Sequence, residues 1–283
     1  MEAPAATIID LALDVLAVQE VGDPSALEDL AGRLEGRWRT ALAEPDARGI
    51  RVGFLSKSAL TKVEELSDFP DGLSPVQVDD EGGAIEQMGR PALKARIRKD
   101  GATIDIVSVH LKSKLLSYLG GRFSPKDEGE RARYSVYALH RRAAEASAVR
   151  AGAVELLGGD GRENRAIVAG DLNDEPQAAT TQILLGPDGS EFGTTGFDRA
   201  DKGDADRMWN LEQLIPEEER FTRIYRGQRE LIDHIMVSHA LTGAVESVTT
   251  GGADISSVTD SPGRRNVAEA SDHRPVAATF NLN

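Results

Sequence analysis

The chain of 283 residues contains no cysteine. Disulfide bonds, zinc–thiolate sites and thiol nucleophiles are therefore excluded, and any metal ion must be held by oxygen and imidazole ligands. No apolar run approaches the ~20 residues that cross a bilayer. Hydrophobic residues at 40% and charged residues at 28% match ordinary globular usage, which excludes a largely disordered chain.

The amino-terminal segment, residues 1–14, has no Lys or Arg and carries Glu2 and Asp10. A secretory signal begins with basic residues and continues with a longer apolar stretch, so we expect no signal peptide here. We expect a cytoplasmic protein by default. Secretion stays an alternative if the N-terminus is truncated.

The net charge of −14 should repel polyanions at long range. Residues 112–150 differ from the rest, because nine basic residues stand against four acidic ones there. This stretch is either a solvated helix face with salt bridges or a patch that attracts phosphate.

Interspersed strand and helix patterns predict one α/β domain over residues 1–283. A helical stripe of apolar residues, with most arginines on the opposite face, predicts a long helix over residues 130–157. We expect the long stretches 64–91 and 186–222 to be excursions that shape a site. Strands are predicted at residues 14–21, 50–56, 92–97, 103–111, 165–171, 231–237 and 275–282, and short helices near residues 4–13, 24–34 and 177–185.

Polar residues that could carry chemistry follow several of these strands. Glu20 and His110 each end a strand, and Gly170-Asp171-Leu172-Asn173 follows a fully apolar one. Each signal is weak alone, since a strand-end Glu or His usually has a structural role and Asp and Asn favour turns.

Two further motifs lie near the end of the chain. Asp233-His234 interrupts an apolar strand, so one member of the pair should point inward, where a carboxylate needs a partner or a metal. Asp272-His273 opens the last strand. Five such motifs in one order over most of the chain are far more specific than any of them alone.

Their order and contexts resemble the endonuclease/exonuclease/phosphatase superfamily, which includes DNase I-like nucleases, neutral sphingomyelinases and inositol polyphosphate 5-phosphatases. The resemblance extends from Asp14 to Leu282. It implies an α+β fold with four αββα layers, in which two packed mixed β-sheets are flanked by helices. It also implies a metal-dependent phosphoesterase.

Carried over by motif, Glu20 would be the principal metal ligand and Asp272 would complete the coordination shell. Asp171 would orient or deprotonate the attacking water, and Asn173 would hold a phosphoryl oxygen. His273 would contact the phosphate, and either Asp171 or the Asp233–His273 pair would be the general base. The same resemblance implies that Asp233 is the carboxylate partner of His273 and that His110 assists the leaving group or stabilises developing charge.

The chemistry favours Mg²⁺ or Mn²⁺ as the cofactor, because a hard cation takes oxygen ligands and neutralises an anionic ester. Arg90, Lys112 and Lys114 are candidates for binding the substrate phosphate, although exposed surface lysines are equally common. Tyr134 and Tyr137 either stack on a base or belong to the core.

The chain departs from the resemblance at its start. The superfamily opens with a strand that carries an Asn, but only nineteen residues precede Glu20 and none of them is Asn. We expect the first strand to be missing, with weaker metal binding and lower activity as the consequence.

The leading functional hypothesis is a nuclease that hydrolyses phosphodiesters of DNA or RNA. An alternative is a phosphatase or phospholipase-like esterase acting on a small phosphorylated metabolite or a lipid head group. A third is a non-catalytic relative that acts as a binding module. Salt dependence separates the first two, because nucleic-acid binding weakens steeply as salt rises.

Overall fold

The computed structural model describes residues 2–189, 191–194, 196–251, 255, 257–258 and 271–282. The helices are α1 Glu2–Asp10, α2 Pro24–Arg33, α3 Glu128–Leu157, α4 Ala179–Leu185 and α5 His239–Thr242, with short 3-10 turns at Leu119–Gly121, Lys202–Ala205, Leu211–Leu214 and Glu217–Glu219. The strands are β1 Val15–Val21, β2 Arg39–Leu42, β3 Arg51–Ser56, β4 Thr61–Asp68, β5 Val76–Gln77, β6 Ala84–Ile85, β7 Gln87–Lys99, β8 Ala102–His110, β9 Ala166–Asp171, β10 Met208–Asn210, β11 Arg223–Tyr225, β12 Gln228–Glu230, β13 Asp233–Ser238, β14 Val245–Thr250 and β15 Val276–Phe280.

Six strands form the large sheet, in the order β10-β13-β9-β8-β7-β4. β8 and β9 are parallel and the other neighbours are antiparallel, so the sheet is mixed. Successive side chains along each of its strands point alternately into two cores. In β8, Ile104 and Ile106 face the second strand layer, whereas Val107 and Val109 face the core around α3 and α4. This period of two is what fixes the direction of each polar side chain at the strand ends.

The second strand layer consists of the antiparallel sheet β1-β3-β2 and the antiparallel pair β14-β15. Phe54 of β3 and Val248 of β14 pack into the same core as β7 and β8, so both pieces face the large sheet. The helices α1 and α2 cover the outer side of β1 and β3 through Ile8, Leu30 and Leu55. The four layers are therefore helix, sheet, sheet, helix, which confirms the expected α+β sandwich.

The structure differs from several sequence expectations. Both stretches expected to be excursions contribute an edge strand to the large sheet: most of β4 lies within 64–91, and β10 lies within 186–222. In the first half of α3 the predicted apolar face is wrong, because Val136 and Leu139 are exposed while Tyr134 and Arg142 are buried. Burial there follows the contacts of these two side chains, because Tyr134 packs against Tyr118 and Arg142 is bound to Asp174.

Candidate active site

Three polar side chains lie in one row across the large sheet. In the strand register His110 is the partner of Asp171, and Asp171 is the partner of Asp233. Each lies two or four residues from a core residue between the sheets on its own strand (Ile106, Ile167 and Ile235), so all three project on that face. The Nε2 atom of His110 lies 3.3 Å from Oδ2 of Asp171. Two adjacent strand ends and the start of a third thus bring together residues 123 positions apart in sequence.

His273 joins this row from the segment that leads into β15. Its Nδ1 atom lies 2.7 Å from Oδ2 of Asp233. Burial acts to raise the pKa of the Asp233 carboxyl, but His273 and a hydrogen bond from the hydroxyl of Thr222 outweigh burial and lower that pKa. Asp171, Asp233 and His273 each offer a ligand atom, and these atoms lie within 4.8 Å of one another.

The turn that follows β9 is shaped for this arrangement. Gly170 has φ +150°, and a Cβ there would overlap the carbonyl oxygen of Val109, so only glycine fits between the two parallel strands. Asn173 adopts φ +54°, a left-handed conformation that Asn tolerates better than most residues. Its amide nitrogen Nδ2 donates to the carbonyl of Leu111 at 3.0 Å and to Oδ2 of Asp171 at 3.2 Å. Both amide hydrogens therefore hold Asp171 and the β8 end in place.

Asp171 is buried close to other negatively charged groups. Burial raises the pKa of this carboxyl first, and the nearby negative charges of Asp233 and Glu20 raise it further, to about 7. Burial lowers the pKa of His273, but the charge of Asp233 and its hydrogen bond outweigh burial and raise it to about 9. Burial also holds the pKa of His110 well below its usual value. At neutral pH the site therefore combines a protonated His273 with a neutral His110.

Glu20 and Asp272 act on the site through their charges. Glu20 raises the pKa of Asp171, and Asp272 raises that of His273. Glu20 has φ +57° at a bulge in β1, where one extra residue between Val18 and Val21 disturbs the pairing with β3. Bulges beside active sites commonly redirect a side chain. Neither Glu20 nor Asp272 belongs to the close cluster of donor atoms, so their coordination of a metal stays a prediction.

The three candidate phosphate-binding cations have different surroundings. Arg90 is 8% exposed and is bound to Asp46 at 2.8 Å and to the carbonyl of His110 at 3.3 Å. The Nζ atom of Lys112 donates to the carbonyls of Ser113 and Leu115, and burial lowers the pKa of Lys112 to about 8. Lys114 has a side chain that is 53% exposed. Arg90 and Lys112 are engaged within the protein. Lys114 is also paired, with Asp174 at 3.1 Å, but its exposed side chain makes it the best placed of the three for an incoming phosphate.

A group that sequence reasoning missed lies directly behind the site. Asp174 is 7% exposed and accepts from Arg142 at 2.9 Å and from Thr180 at 2.6 Å, while Lys114 lies 3.1 Å away. Its backbone carbonyl meets Nε2 of His234 at 2.9 Å. Asp174 directly follows the Gly170–Asn173 motif, and that position could have identified it as a site residue from the sequence. Arg142 offered none, since its spacing groups it with the solvent-facing arginines of α3.

The basic stretch 112–150 is largely neutralised within the protein. Most of its cations form ion pairs with carboxylates, two of which, Asp80 and Asp174, come from outside the stretch. This agrees with the interpretation of the stretch as a helix face with salt bridges, and it weakens the alternative of a polyanion-binding patch. The pairs are Lys114 and Arg142 with Asp174, Arg122 with Glu130, Arg131 with Glu128, Arg133 with Asp80, and Arg141 with Glu145.

The two tyrosines of α3 also belong to the protein interior or its ion pairs. Tyr134 is 3% exposed and stacks against Tyr118 at a ring distance of 4.7 Å. The hydroxyl of Tyr137 donates to Asp80. Of the two alternatives for these tyrosines, stacking on a base or packing in the core, Tyr134 belongs to the core.

Comparison with known families decides the assignment. The model of the Endonuclease/Exonuclease/phosphatase family matches residues 2–273. The chain belongs to this family. It is accordingly a phosphoesterase, as the order of the five motifs predicts. A search of curated proteins found no match.

Solved structures of the endonuclease/exonuclease/phosphatase fold resemble the chain over almost its whole length. A mannosyl-6-phosphatase from Bacteroides thetaiotaomicron is 15% identical, with a TM-score of 0.58 over 98% of this chain and 89% of that one. A 3′ phosphatase from Neisseria bound to product DNA hairpin is 19% identical, with a TM-score of 0.55 over 98% and 92%. A family member from Bacteroides vulgatus is 16% identical, with a TM-score of 0.59 over 99% and 89%. Identities this low show the shared fold alone.

Within the described ranges, none of the helices has both the length and the apolar character that crossing a bilayer demands.

Proposed function

We propose that the chain is a divalent-metal-dependent hydrolase of phosphate esters, with its active site at the row formed by His110, Asp171 and Asp233. The observation that carries the proposal is this row in strict strand register, completed by His273 at 2.7 Å from Asp233. A structural ion pair would need only two of these groups. Four ionisable groups at one sheet end fit a site that handles both a cation and an anionic ester.

A hard divalent cation fits the donor set. Asp171 and Asp233 supply carboxylate oxygens beside His273, and the raised pKa of Asp171 marks a surplus of negative charge that a cation would relieve. Mg²⁺ or Mn²⁺ would be held by carboxylates from Asp171 and Asp233, with Glu20 and Asp272 as the further ligands that the resemblance implies. When bound, such a cation supplies Lewis acidity toward a phosphoryl oxygen and lowers the pKa of water.

The chain's own residues account for the remaining requirements of hydrolysis. The pKa of Asp171 is about 7 without metal, and a cation beside it would lower that pKa, so the ionised carboxylate would be available at neutral pH to orient an attacking water and accept its proton. Asn173 fixes the Asp171 carboxylate through its amide hydrogen bond. The Asp233 carboxylate keeps His273 protonated, which places a positive charge where an anionic phosphate would bind. Lys114 offers a second, more exposed cation.

We favour a small phosphorylated substrate over a long nucleic acid. The net charge is −14, and the basic stretch 112–150 is paired with carboxylates of the protein itself. Binding of a polyanion depends on cations that replace its counterions. A nuclease is the second candidate, which the sequence favoured and which the fold's presence in a DNA-bound 3′ phosphatase keeps in view.

The test is turnover of bis(p-nitrophenyl) phosphate, a small phosphorylated sugar and plasmid DNA, each with Mg²⁺, Mn²⁺ or EDTA. We expect metal-dependent turnover that EDTA removes and that Asp171→Ala abolishes. Asp29→Asn on the exposed face of α2 is the matched control and should retain full activity. Turnover in EDTA, or an active Asp171→Ala protein, would contradict the proposal.

Salt separates the two substrate classes. For a small phosphoester we expect activity to change little between 50 and 200 mM salt, whereas a nuclease making several phosphate contacts loses about 10³-fold or more in affinity over that range. A steep salt dependence on DNA would replace the small-substrate proposal with the nuclease.

A further inference from the structure

Arg48 lies in the turn between β2 and β3, and its sequence context did not identify it as a site residue. The Asp46 carboxylate shapes this turn, because it accepts from the backbone nitrogens of Arg48 at 2.8 Å and of Ile50 at 3.0 Å. Gly49 completes the turn with φ +81°, a left-handed conformation that favours glycine. The Arg48 side chain is 63% exposed, and its Nη2 atom lies 3.5 Å from Oδ2 of Asp46. The turn therefore has a fixed backbone and presents a guanidinium at the surface.

Arg48 is connected to the His110 end of the polar row. The same Oδ2 atom of Asp46 accepts from Arg90 at 2.8 Å, and Arg90 also donates to the carbonyl of His110 at 3.3 Å. Burial is the largest cause that lowers the pKa of His110 and of Lys112, and the positive charge of Arg48 also lowers both. Because charges act through space, Arg48 also attracts an anion that binds beside His110.

Two carboxylates at this end of the sheet are each shared by two cations. The groups are Asp46 with Arg48 and Arg90, and Asp174 with Lys114 and Arg142. One carboxylate balances one of its two cations, so each group keeps one net positive charge. Arg90 and Arg142 are buried, whereas the side chains of Arg48 and Lys114 are 63% and 53% exposed. The remaining positive charge is therefore accessible to a ligand on two exposed side chains.

Arg48 and Lys114 flank His110. Arg48 is connected through Asp46 to Arg90 of β7, and Lys114 pairs with a residue just after β9, while β8 lies between these two strands. Neighbouring strands are ~4.8 Å apart, so β7 lies roughly 10 Å from β9, the strand of Asp171. This separation exceeds the size of one phosphate group. It suits two charged groups at different positions of one small molecule.

Two buried polar atoms at the same end of the row have no hydrogen-bond partner among the described residues. They are Nε of Arg90 and Nδ1 of His110. Nearly all buried polar atoms in proteins have a partner. Asp233 and His273, at the other end of the row, bind each other. The unmet hydrogen-bonding capacity of Arg90 and His110 therefore favours a polar group from outside the chain at this end.

We propose that Arg48 and Lys114 bind a second anionic group of the substrate, carried by the alcohol portion of the phosphoester. This rests on the proposed function, because the first anionic group is the phosphoryl group bound at Asp171 and His273. The second group is a carboxylate or a phosphate, since a guanidinium binds the oxygens of either through paired hydrogen bonds. Arg48 is the specificity-determining residue, and Asp46 positions it. The substrate class is a small phosphoester with two separated negative groups.

Two matched pairs of compounds test the proposal through binding. 6-Phosphogluconate has a carboxylate where glucitol 6-phosphate has a CH2OH group, and fructose 1,6-bisphosphate has one phosphate more than fructose 6-phosphate. Calorimetric titration in EDTA, and again with Mg²⁺, measures each Kd. We expect the natural chain to bind the more charged member about tenfold more tightly in at least one pair, because each added contact is a charge-assisted hydrogen bond. The pair that shows the preference identifies the second group as carboxylate or phosphate.

Variants of Arg48 test whether this residue causes the preference. Arg48→Gln should reduce it to about twofold or less, and Arg48→Lys should retain part of it, because the charge remains while the paired hydrogen bonds are lost. Arg33→Gln, at an exposed arginine in the last turn of α2, is the matched control and should retain the full preference. In steady-state kinetics with metal, the effect of Arg48→Gln on the preferred compound should appear in KM more than in kcat.

Equal or undetectable binding of both members in each pair, or a preference that survives Arg48→Gln, would overturn the proposal. Failure of the proposed function gives a different result. The binding preference would then persist and depend on Arg48, while neither these compounds nor bis(p-nitrophenyl) phosphate would show metal-dependent turnover.

Discussion

Asp171 and Asp174 lie three residues apart in one turn and are almost equally buried, at 6% and 7% exposure, yet their surroundings are opposite. Asp171 faces Asp233 and Glu20, and its pKa is raised to about 7. Burial also acts to raise the pKa of Asp174, but Thr180, Lys114 and Arg142 outweigh it and lower that pKa. The same turn thus separates an acidic pocket from a basic one.

The difference shows which carboxylate is built for chemistry. Asp174 already has its counterions within the protein, so its charge is satisfied and its contribution is structural. Among the residues that the structure describes, His110 is the one basic side chain within salt-bridge distance of Asp171, and burial keeps it neutral. A buried carboxylate in that state favours binding of an external cation. Four predictions test this contrast, ordered from the largest expected effect to the smallest.

Asp171→Asn should separate activity from stability. Removing the proposed base should lower kcat by about 10²–10⁴-fold. Because the raised pKa means that ionised Asp171 destabilises the metal-free fold at neutral pH, the same change should increase the free energy of unfolding in EDTA. The measurements are steady-state kinetics with metal and urea unfolding without it. A loss of both activity and stability would show that Asp171 is structural.

Asp174→Asn should have the opposite profile. It leaves Arg142, which is 5% exposed, without its carboxylate, and breaking a buried pair in this way costs about 3–5 kcal/mol. We expect that loss in urea unfolding, with only a modest fall in kcat for the protein that remains folded. Arg142→Met combined with Asp174→Asn should recover part of the stability, since it removes the unpaired charge. No recovery in the double variant would mean that the two residues are not coupled.

Divalent metal should stabilise the protein through Asp171 and not through Asp174. A ligand at 100 times its Kd adds about 2.7 kcal/mol to the free energy of unfolding. We expect Mg²⁺ or Mn²⁺ to raise Tm in the natural chain and in Asp174→Asn, and not in Asp171→Asn. Thermal unfolding with and without EDTA measures this directly. An equal rise in all three proteins would place the cation elsewhere.

The acidic surroundings of Asp171 could be predicted from the sequence, and so could most of the strands and helices that position them. The strand ends at His110 and Asp171 follow from local periodicity, and so does the inward direction of one member of the Asp233-His234 pair, because successive residues of a strand point to opposite faces. The helix cap at Asp23 and the strands β3, β8 and β9 follow from equally local patterns. These features depend on neighbours within a few residues.

The basic surroundings of Asp174 could not be predicted from the sequence, because they depend on contacts between residues that are distant in sequence. Arg142 is one of several arginines on α3, and only the packing of that helix against the turn after β9 turns it toward Asp174. The engagement of Arg90 with Asp46 is likewise fixed by a partner 44 residues away. The division of the second layer into two pieces depends on which strand edges pair, and side-chain pattern alone does not encode that.

The smallest effect should come from His234, which joins the Asp174 pocket to the strand that carries Asp233. Nε2 of His234 meets the carbonyl of Asp174 and Nδ1 meets the amide nitrogen of Asn210, an arrangement that suits a neutral ring with Nδ1 as the acceptor. Burial lowers the pKa of His234 below 6.5. The unfolded chain therefore binds a proton at higher pH than the folded one. Stability should be full above pH 6.5 and fall as the pH drops through the folded pKa, by at most about 1.4 kcal/mol per pH unit.

Urea unfolding in EDTA between pH 5 and 8 should show a shallower pH dependence for His234→Gln than for the natural chain. If the two slopes coincide, His234 titrates alike in both states and the neutral ring assigned to it here is wrong.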